Sequence, residues 1–234
     1  MTSSAEQTRA RILHDMGLVA WTLRDKTQTV AAKAAAEIRE PVAATESSLP
    51  TWDELQTAVS SCTRCALAEQ RHHTVFGVGA RAARRMIVGE APGAEEDRRG
   101  EPFVGRAGQL LDAMLMALGT CREEVFITNI VKCRPPGNRD PKPEEAEACQ
   151  GYLLAQIEHV RPALILALGG VAAHQLLGVD TPVGKLRGRV HEGPGACPLV
   201  VTYHPAYLLR TPTAKRHVWA DLQLAQSHVT VRAS

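Results

Sequence analysis

Four residues of this chain, far apart in sequence, could act together on a flat and polar ligand. Glu90 stands in Gly89-Glu90-Ala91-Pro92-Gly93, directly after the apolar run Met86-Ile87-Val88. Phe103 lies in the next glycine-bounded loop, Asn129 closes the apolar run that begins at Val125, and His204 precedes Pro205. A carboxylate can orient water or stabilise a cation, and an imidazole can donate to a carbonyl that gains negative charge. A carboxamide donates and accepts at once, while an aromatic ring offers a stacking platform. Beside them is a second chemical set, Cys62-x-x-Cys65 with Cys133 and Cys149. Four thiolates can hold zinc or an iron-sulfur cluster, and spacing alone leaves both open.

For the first four to meet, the chain must bring distant loops to one edge. The runs Met86 to Val88, Val125 to Asn129, Ala163 to Leu168 and Leu199 to Tyr203 suit buried parallel strands. Helical spacing follows at Leu110, Leu111, Met114, Leu115 and Leu118, and helices are expected near Pro143 to Val160 and Val171 to Leu177. This predicts a three-layer α/β/α sandwich around a mainly parallel, four-stranded sheet. Each strand ends in a polar or glycine-bearing turn. In an open parallel sheet the carboxyl ends of the strands form the ligand crevice, so Glu90, Asn129 and His204 should converge there. Each has an ordinary structural explanation when taken alone: Asn129 could cap a turn, His204 could be a satisfied core histidine, and Glu90 could pair with Arg106. The coincidence at strand ends favours a shared pocket. Asn129 matches the O4 and N3–H edge of a uracil ring, which makes this a candidate pocket for a base flipped from a nucleic acid.

Basic residues on loops at the same edge, Lys132, Arg134, Arg139, Lys185, Arg187 and Arg210, would supply a local phosphate-binding surface. The formal net charge of +2 does not announce one. Tyr207-Leu208-Leu209-Arg210 ends that surface with an apolar pair able to fill the hole left by an extruded base. No GxxxxGK[ST] loop for triphosphate is present, and Gly77-Val78-Gly79 lacks the third glycine of a dinucleotide fingerprint.

The segments Gly89 to Gly93, Pro102 to Gly108, Asn129 to Arg139 and His204 to Arg210 resemble, in order, the signature segments of family 4 uracil-DNA glycosylases. The resemblance spans roughly Trp52 to Leu224. It implies that Phe103 stacks on the flipped uracil, that Asn129 reads its edge, and that amides around Ala91 and Gly93 approach its O2. It further implies that His204 stabilises the departing uracil anion and Glu90 positions the water, with Glu96 and Asn138 supporting the pocket. The same resemblance implies that Cys62, Cys65, Cys133 and Cys149 ligate a [4Fe-4S] cluster of structural role; Cys121 and Cys197 match no ligand position and are expected to be buried apolar residues. The implied activity is hydrolysis of the N-glycosidic bond of uracil in DNA, leaving an abasic site. A related branch forms a lasting covalent link to such DNA, a behaviour associated with a histidine-bearing insertion after the Asn129 strand. Lys132 to Lys142 contains no histidine. A noncatalytic polymerase accessory would leave the pocket idle.

Residues 1–50 read as a helix over Ala5 to Arg24 on an alanine-, serine- and proline-rich tether, open to a protein partner. Thr51-Trp52-Asp53-Glu54 matches a capping box, so the glycosylase domain is expected over 51–228, followed by a tail over 229–234. No run approaches the length of a membrane span and no secretory h-region opens the chain. The expectation is a monomer of the cytosol, associated with the nucleoid.

Overall fold

The structure, a computed structural model, describes residues 49–231. The expected helix at Ala5 to Arg24 and its tether lie outside those residues. Helix α1 (Trp52–Ser60) starts as its sequence requires: Thr51 Oγ1 accepts from Glu54 N, and Glu54 returns a carboxylate to Thr51 N at 2.8 Å. Its inward face is Leu55 and Val59, while Ala58 is exposed.

Beyond α1 the chain alternates. Strands β1 (Val78–Gly79) and β2 (Arg85–Gly89) lead to helices α2 (Ala94–Arg99) and α3 (Arg106–Ala117). Strand β3 (Phe126–Asn129), helix α4 (Pro143–Val160), strand β4 (Leu164–Leu168) and helices α5 (Gly170–Leu177) and α6 (Val183–Leu186) follow. Strands β5 (Val190–Glu192) and β6 (Pro198–Thr202) precede helices α7 (Pro205–Arg210) and α8 (Lys215–Val231). Among the described residues the sheet order is β1-β3-β2-β4-β6-β5. The four expected strands form its parallel centre, with Gly89 opposite Asn129 and Ala167 opposite Val201. The two added strands, β1 and β5, are short antiparallel edges. They escaped the sequence reading because runs this brief leave almost no period to detect.

Alternation along the strands makes the layers. Met86, Val88, Ile165 and Ala167 face a core shared with Leu55, Val59, Tyr152, Leu153 and Leu176. Ile87, Ile127, Leu166 and Val200 face the opposite core, built with Leu111, Leu115, Val218 and Leu222. Both faces are covered, so the central strands are buried at almost every position, as parallel strands must be. Helix α8 runs past residue 228, where the domain was expected to end, and buries Val229 in this second core.

Candidate active site at the carboxyl edge of the sheet

The carboxyl ends of the parallel strands open into a cavity of 430 Å³. Its wall contains Glu90, Ala91, Gly93, Glu96, Phe103, Asn129, Asn138 and His204. Every residue that the sequence placed in catalysis or ligand binding is therefore gathered here. Backbone pairing continues past the strands, with Ile130 N donating to Gly89 O at 2.9 Å and Val131 N to Glu90 O at 3.2 Å. This ties the Glu90 loop to the Asn129 strand end.

Phe103 is set by close packing. It is buried and holds a left-handed φ of 54°, unusual for a bulky residue. Two glycines make room: a Cβ on Gly89 would lie 2.5 Å from Phe103 Cζ, and one on Gly108 would lie 1.7 Å from Phe103 O. Glu96 then clasps the two loops. Its carboxylate accepts from Gly93 N at 3.1 Å and from Val104 N and Gly105 N at 2.9 Å each. The acidic patch Glu95-Glu96-Asp97 is thus not a solvated face throughout. Asp97, almost fully buried, accepts from His72 N at 2.9 Å and pairs with His72 Nδ1 at 2.7 Å.

Asn129 is 1% exposed, and among the described residues its Oδ1 has no hydrogen-bond partner. An unpaired buried acceptor costs about 1–3 kcal/mol until something satisfies it. His204 stacks at a tilt on Phe103, with ring centroids 5.6 Å apart. Its Nδ1 accepts from Ala206 N at 3.1 Å, which leaves the neutral ring's proton on Nε2. Burial, assisted by the nearby Arg210 charge, pulls its pKa down to about 4, so the ring is neutral near pH 7. Glu90 moves the other way. Burial, then the charge and hydrogen bond of Asp140, push its pKa up to about 7. Asp140 went unnoticed in the sequence, where Arg106 was the partner weighed for Glu90. Nothing local signals the contact, because Asp140 arrives from the loop between β3 and α4.

The basic surface is smaller than expected. Lys132 is a correction: it is 1% exposed, and Nζ donates to Thr128 Oγ1 at 2.7 Å, Asn129 O at 2.8 Å and Gln156 Oε1 at 2.7 Å. Burial lowers its pKa to about 7. It braces the strand end from behind and cannot reach a phosphate. Arg187 is likewise committed, gripping the buried Asp221 through Nε at 3.0 Å and Nη2 at 2.9 Å. Arg139 forks onto Glu145, and Arg134 Nε donates to Asn138 Oδ1 at 2.7 Å. Lys185 and Arg210 remain exposed, outside any ion pair among the described residues. Leu208 is the other correction. It points with Pro205, three positions earlier on α7, into the core and is 1% exposed, whereas Tyr207 and Leu209 face outward.

The four cysteines expected as ligands form no disulfide among the described residues. Cys133 and Cys149 are buried, Cys62 and Cys65 half-buried. Charge on Cys65 and Cys149 is felt at Cys133, and charge on Cys62 and Cys65 at Cys149, so the set is gathered in one region. Burial pushes the Cys133 thiol up to about 11, although Arg71 Nη1, donating to its Sγ at 3.2 Å, works against this. Among the described residues, no three His, Cys, Asp or Glu side chains are grouped as they would be around a single metal ion. Cys197 is buried as expected, but Cys121 is exposed.

Residues 76–223 match the family model described as the uracil DNA glycosylase superfamily. Among curated relatives, the type-4 uracil-DNA glycosylase of Thermotoga maritima is 44% identical over 186 residues, 76% of this chain and 97% of that protein. The type-4 enzyme of Archaeoglobus fulgidus is 41% identical over 178 residues, 73% of this chain and 89% of the relative. That of Pyrobaculum aerophilum is 44% identical over 178 residues, 73% and 91% respectively.

Proposed function

This chain belongs to the uracil DNA glycosylase superfamily, and from that premise we propose that the cavity at the carboxyl edge is where it excises uracil. The chain is a uracil-DNA glycosylase of DNA repair. Its substrate is DNA, and no described helix is long and apolar enough to cross a membrane. The observation that carries the placement is the unpaired Asn129 Oδ1, a buried acceptor in the wall of a cavity otherwise framed by a ring, an imidazole and a carboxyl.

The extruded base enters against Phe103. Asn129 Oδ1 accepts from uracil N3–H and Nδ2 donates to O4, while amides around Ala91 and Gly93 approach O2. When the C1′–N1 bond breaks, its electron pair stays with uracil and spreads onto the carbonyls, where neutral His204 offers its Nε2–H. Water then adds to the oxocarbenium-like C1′ and passes a proton to ionised Glu90. The uracil anion takes up a proton from solvent as Glu90 releases one, and free uracil and an abasic site result. In this reading Tyr207 and Leu209 fill the vacated stack, and Lys185 and Arg210 meet phosphates.

The type-4 relatives support reading the gathered thiols as ligands of an iron-sulfur cluster. Around a lone zinc, four sulfurs at about 2.3 Å from the metal would crowd together. Iron bound to four thiolates would offset with its positive charge the mutual repulsion that burial aggravates. Cys62, Cys65, Cys133 and Cys149 would hold this [4Fe-4S] cluster, which would tie the start of the domain to the loop after Asn129. All steps at the base are made by the cavity residues.

A direct test incubates the protein with a labelled uracil-containing oligonucleotide and runs a denaturing gel with and without alkali. Cleavage only after alkali, together with free uracil, is the expected result. A denaturant-resistant protein-DNA band would point to the covalent branch, and an unchanged oligonucleotide to a binding role.

A further inference from the structure

Arg71, half-buried between the Cys62 loop and the start of the sheet, takes part in none of the ion pairs among the described residues. Its guanidinium goes instead to the cysteines: Nη1 donates to Cys133 Sγ at 3.2 Å and to Cys62 O at 2.7 Å, and Nη2 to Ser60 O at 3.4 Å. On the cluster reading given above, we propose that Arg71 is a positioning residue of the cluster site, donating to the Cys133 sulfur while it fastens the Cys62 loop, so that a bound cluster is released slowly and is easier to reduce.

The backbone that carries Arg71 is pinned. The next residue, His72, donates its N–H to Oδ1 of the buried Asp97 at 2.9 Å, which ties the segment to helix α2. Four positions beyond Arg71, Val75 N donates to Lys132 O at 2.7 Å, directly before Cys133 in the chain. Arg71 therefore leaves a fixed base beside the loop that holds one sulfur and reaches across to the loop that holds another. One guanidinium can span such acceptors because its donors lie in a rigid plane.

The other cations near the cysteines are engaged elsewhere. Lys132 Nζ is spent on three oxygens, and the Arg64 guanidinium lies over the Tyr152 ring, 4.6 Å from its centroid. Four thiolates outweigh the positive core of a [4Fe-4S] cluster, and an added electron increases the excess of negative charge. A charged N–H on one of those sulfurs favours the reduced form over the oxidised one and so raises the reduction potential. The bonds to Cys62 O and Ser60 O act differently, by holding the Cys62 loop closed over the site.

The test measures two properties of the whole protein: iron release to a chelator, at a temperature where each variant stays folded, and the reduction midpoint, titrated with a low-potential reductant and mediators. Arg71→Gln should release iron several-fold faster. Its one-electron midpoint should fall by about 59 mV, a tenfold shift in the reduction equilibrium. Arg71→Lys keeps the charge but cannot span all three acceptors, so its midpoint should stay near that of the parent while its iron is released faster. An unchanged midpoint in Arg71→Gln, or parent-like iron release in Arg71→Lys, would overturn the proposal. A clamp that was merely structural would leave the midpoint where it is. Parent protein with neither iron nor sulfide would remove the cluster reading itself, and this inference with it.

Discussion

Two polar regions share the end of strand β3 and differ in one respect. Behind the strand, Thr128, Lys132 and Gln156 form a closed network: Lys132 has three acceptors, Thr128 Oγ1 donates to Phe76 O at 2.9 Å, and Gln156 Nε2 donates to the same carbonyl at 2.9 Å. In front, Asn129 has the same depth of burial and an acceptor with nothing to accept. Glu90 and His204 beside it are both pushed toward their neutral forms. Burial of polar groups is common to both sides. Completed hydrogen bonding marks the structural side, and unfinished hydrogen bonding marks the side that waits for a ligand.

Breaking each side should therefore look different. The largest effect on chemistry is expected from Asn129→Ala, a loss of about 100-fold or more in single-turnover excision. Its thermal midpoint should change little, since no existing side-chain acceptor bond is lost. A variant with normal excision would remove this account of base recognition. Lys132→Met should do the reverse and destabilise the fold by about 2–4 kcal/mol, because three acceptors lose their donor. Denaturant unfolding measures that loss. At a temperature where the variant stays folded, the salt dependence of DNA binding should match the parent, and a shallower slope would return Lys132 to the DNA surface.

The thiols adjoining this network offer a third comparison. Cys62→Ser should lower bound iron and the thermal midpoint together, and a variant with full iron content would remove Cys62 from the ligand set. The smallest effect belongs to the rim. Arg210→Ala should weaken DNA binding several-fold and make log K against log salt less steep by about 0.9, the amount for one phosphate. An unchanged slope would show that Arg210 makes no such contact.

Much of the site could be read without coordinates because its information is local. Glycine and proline after β2, an amide closing β3 and a histidine before Pro205 are each recognisable in a few residues. Parallel βα topology carries all such strand ends to one edge whatever the details of packing. What failed was the sorting of neighbours into inside and outside. Lys132 and Arg134 look alike in sequence, yet one is buried because Gln156, 24 positions on, supplies an acceptor. Leu208 and Leu209 look alike too, and α7 turns one into the core and the other to solvent.

The sequence by itself determined the parallel centre of the sheet, the edge that carries the cavity and the residue types gathered there, since these follow from short-range patterning and chain direction. Only the tertiary structure decided which charges remain free. Arg187 is taken by Asp221, 34 positions away, Glu90 meets Asp140 from a separate loop, and the Asn129 side-chain oxygen has no partner among the described residues. Each outcome depends on a partner brought near by folding, and the energy of a buried polar group is set by whether that partner arrives.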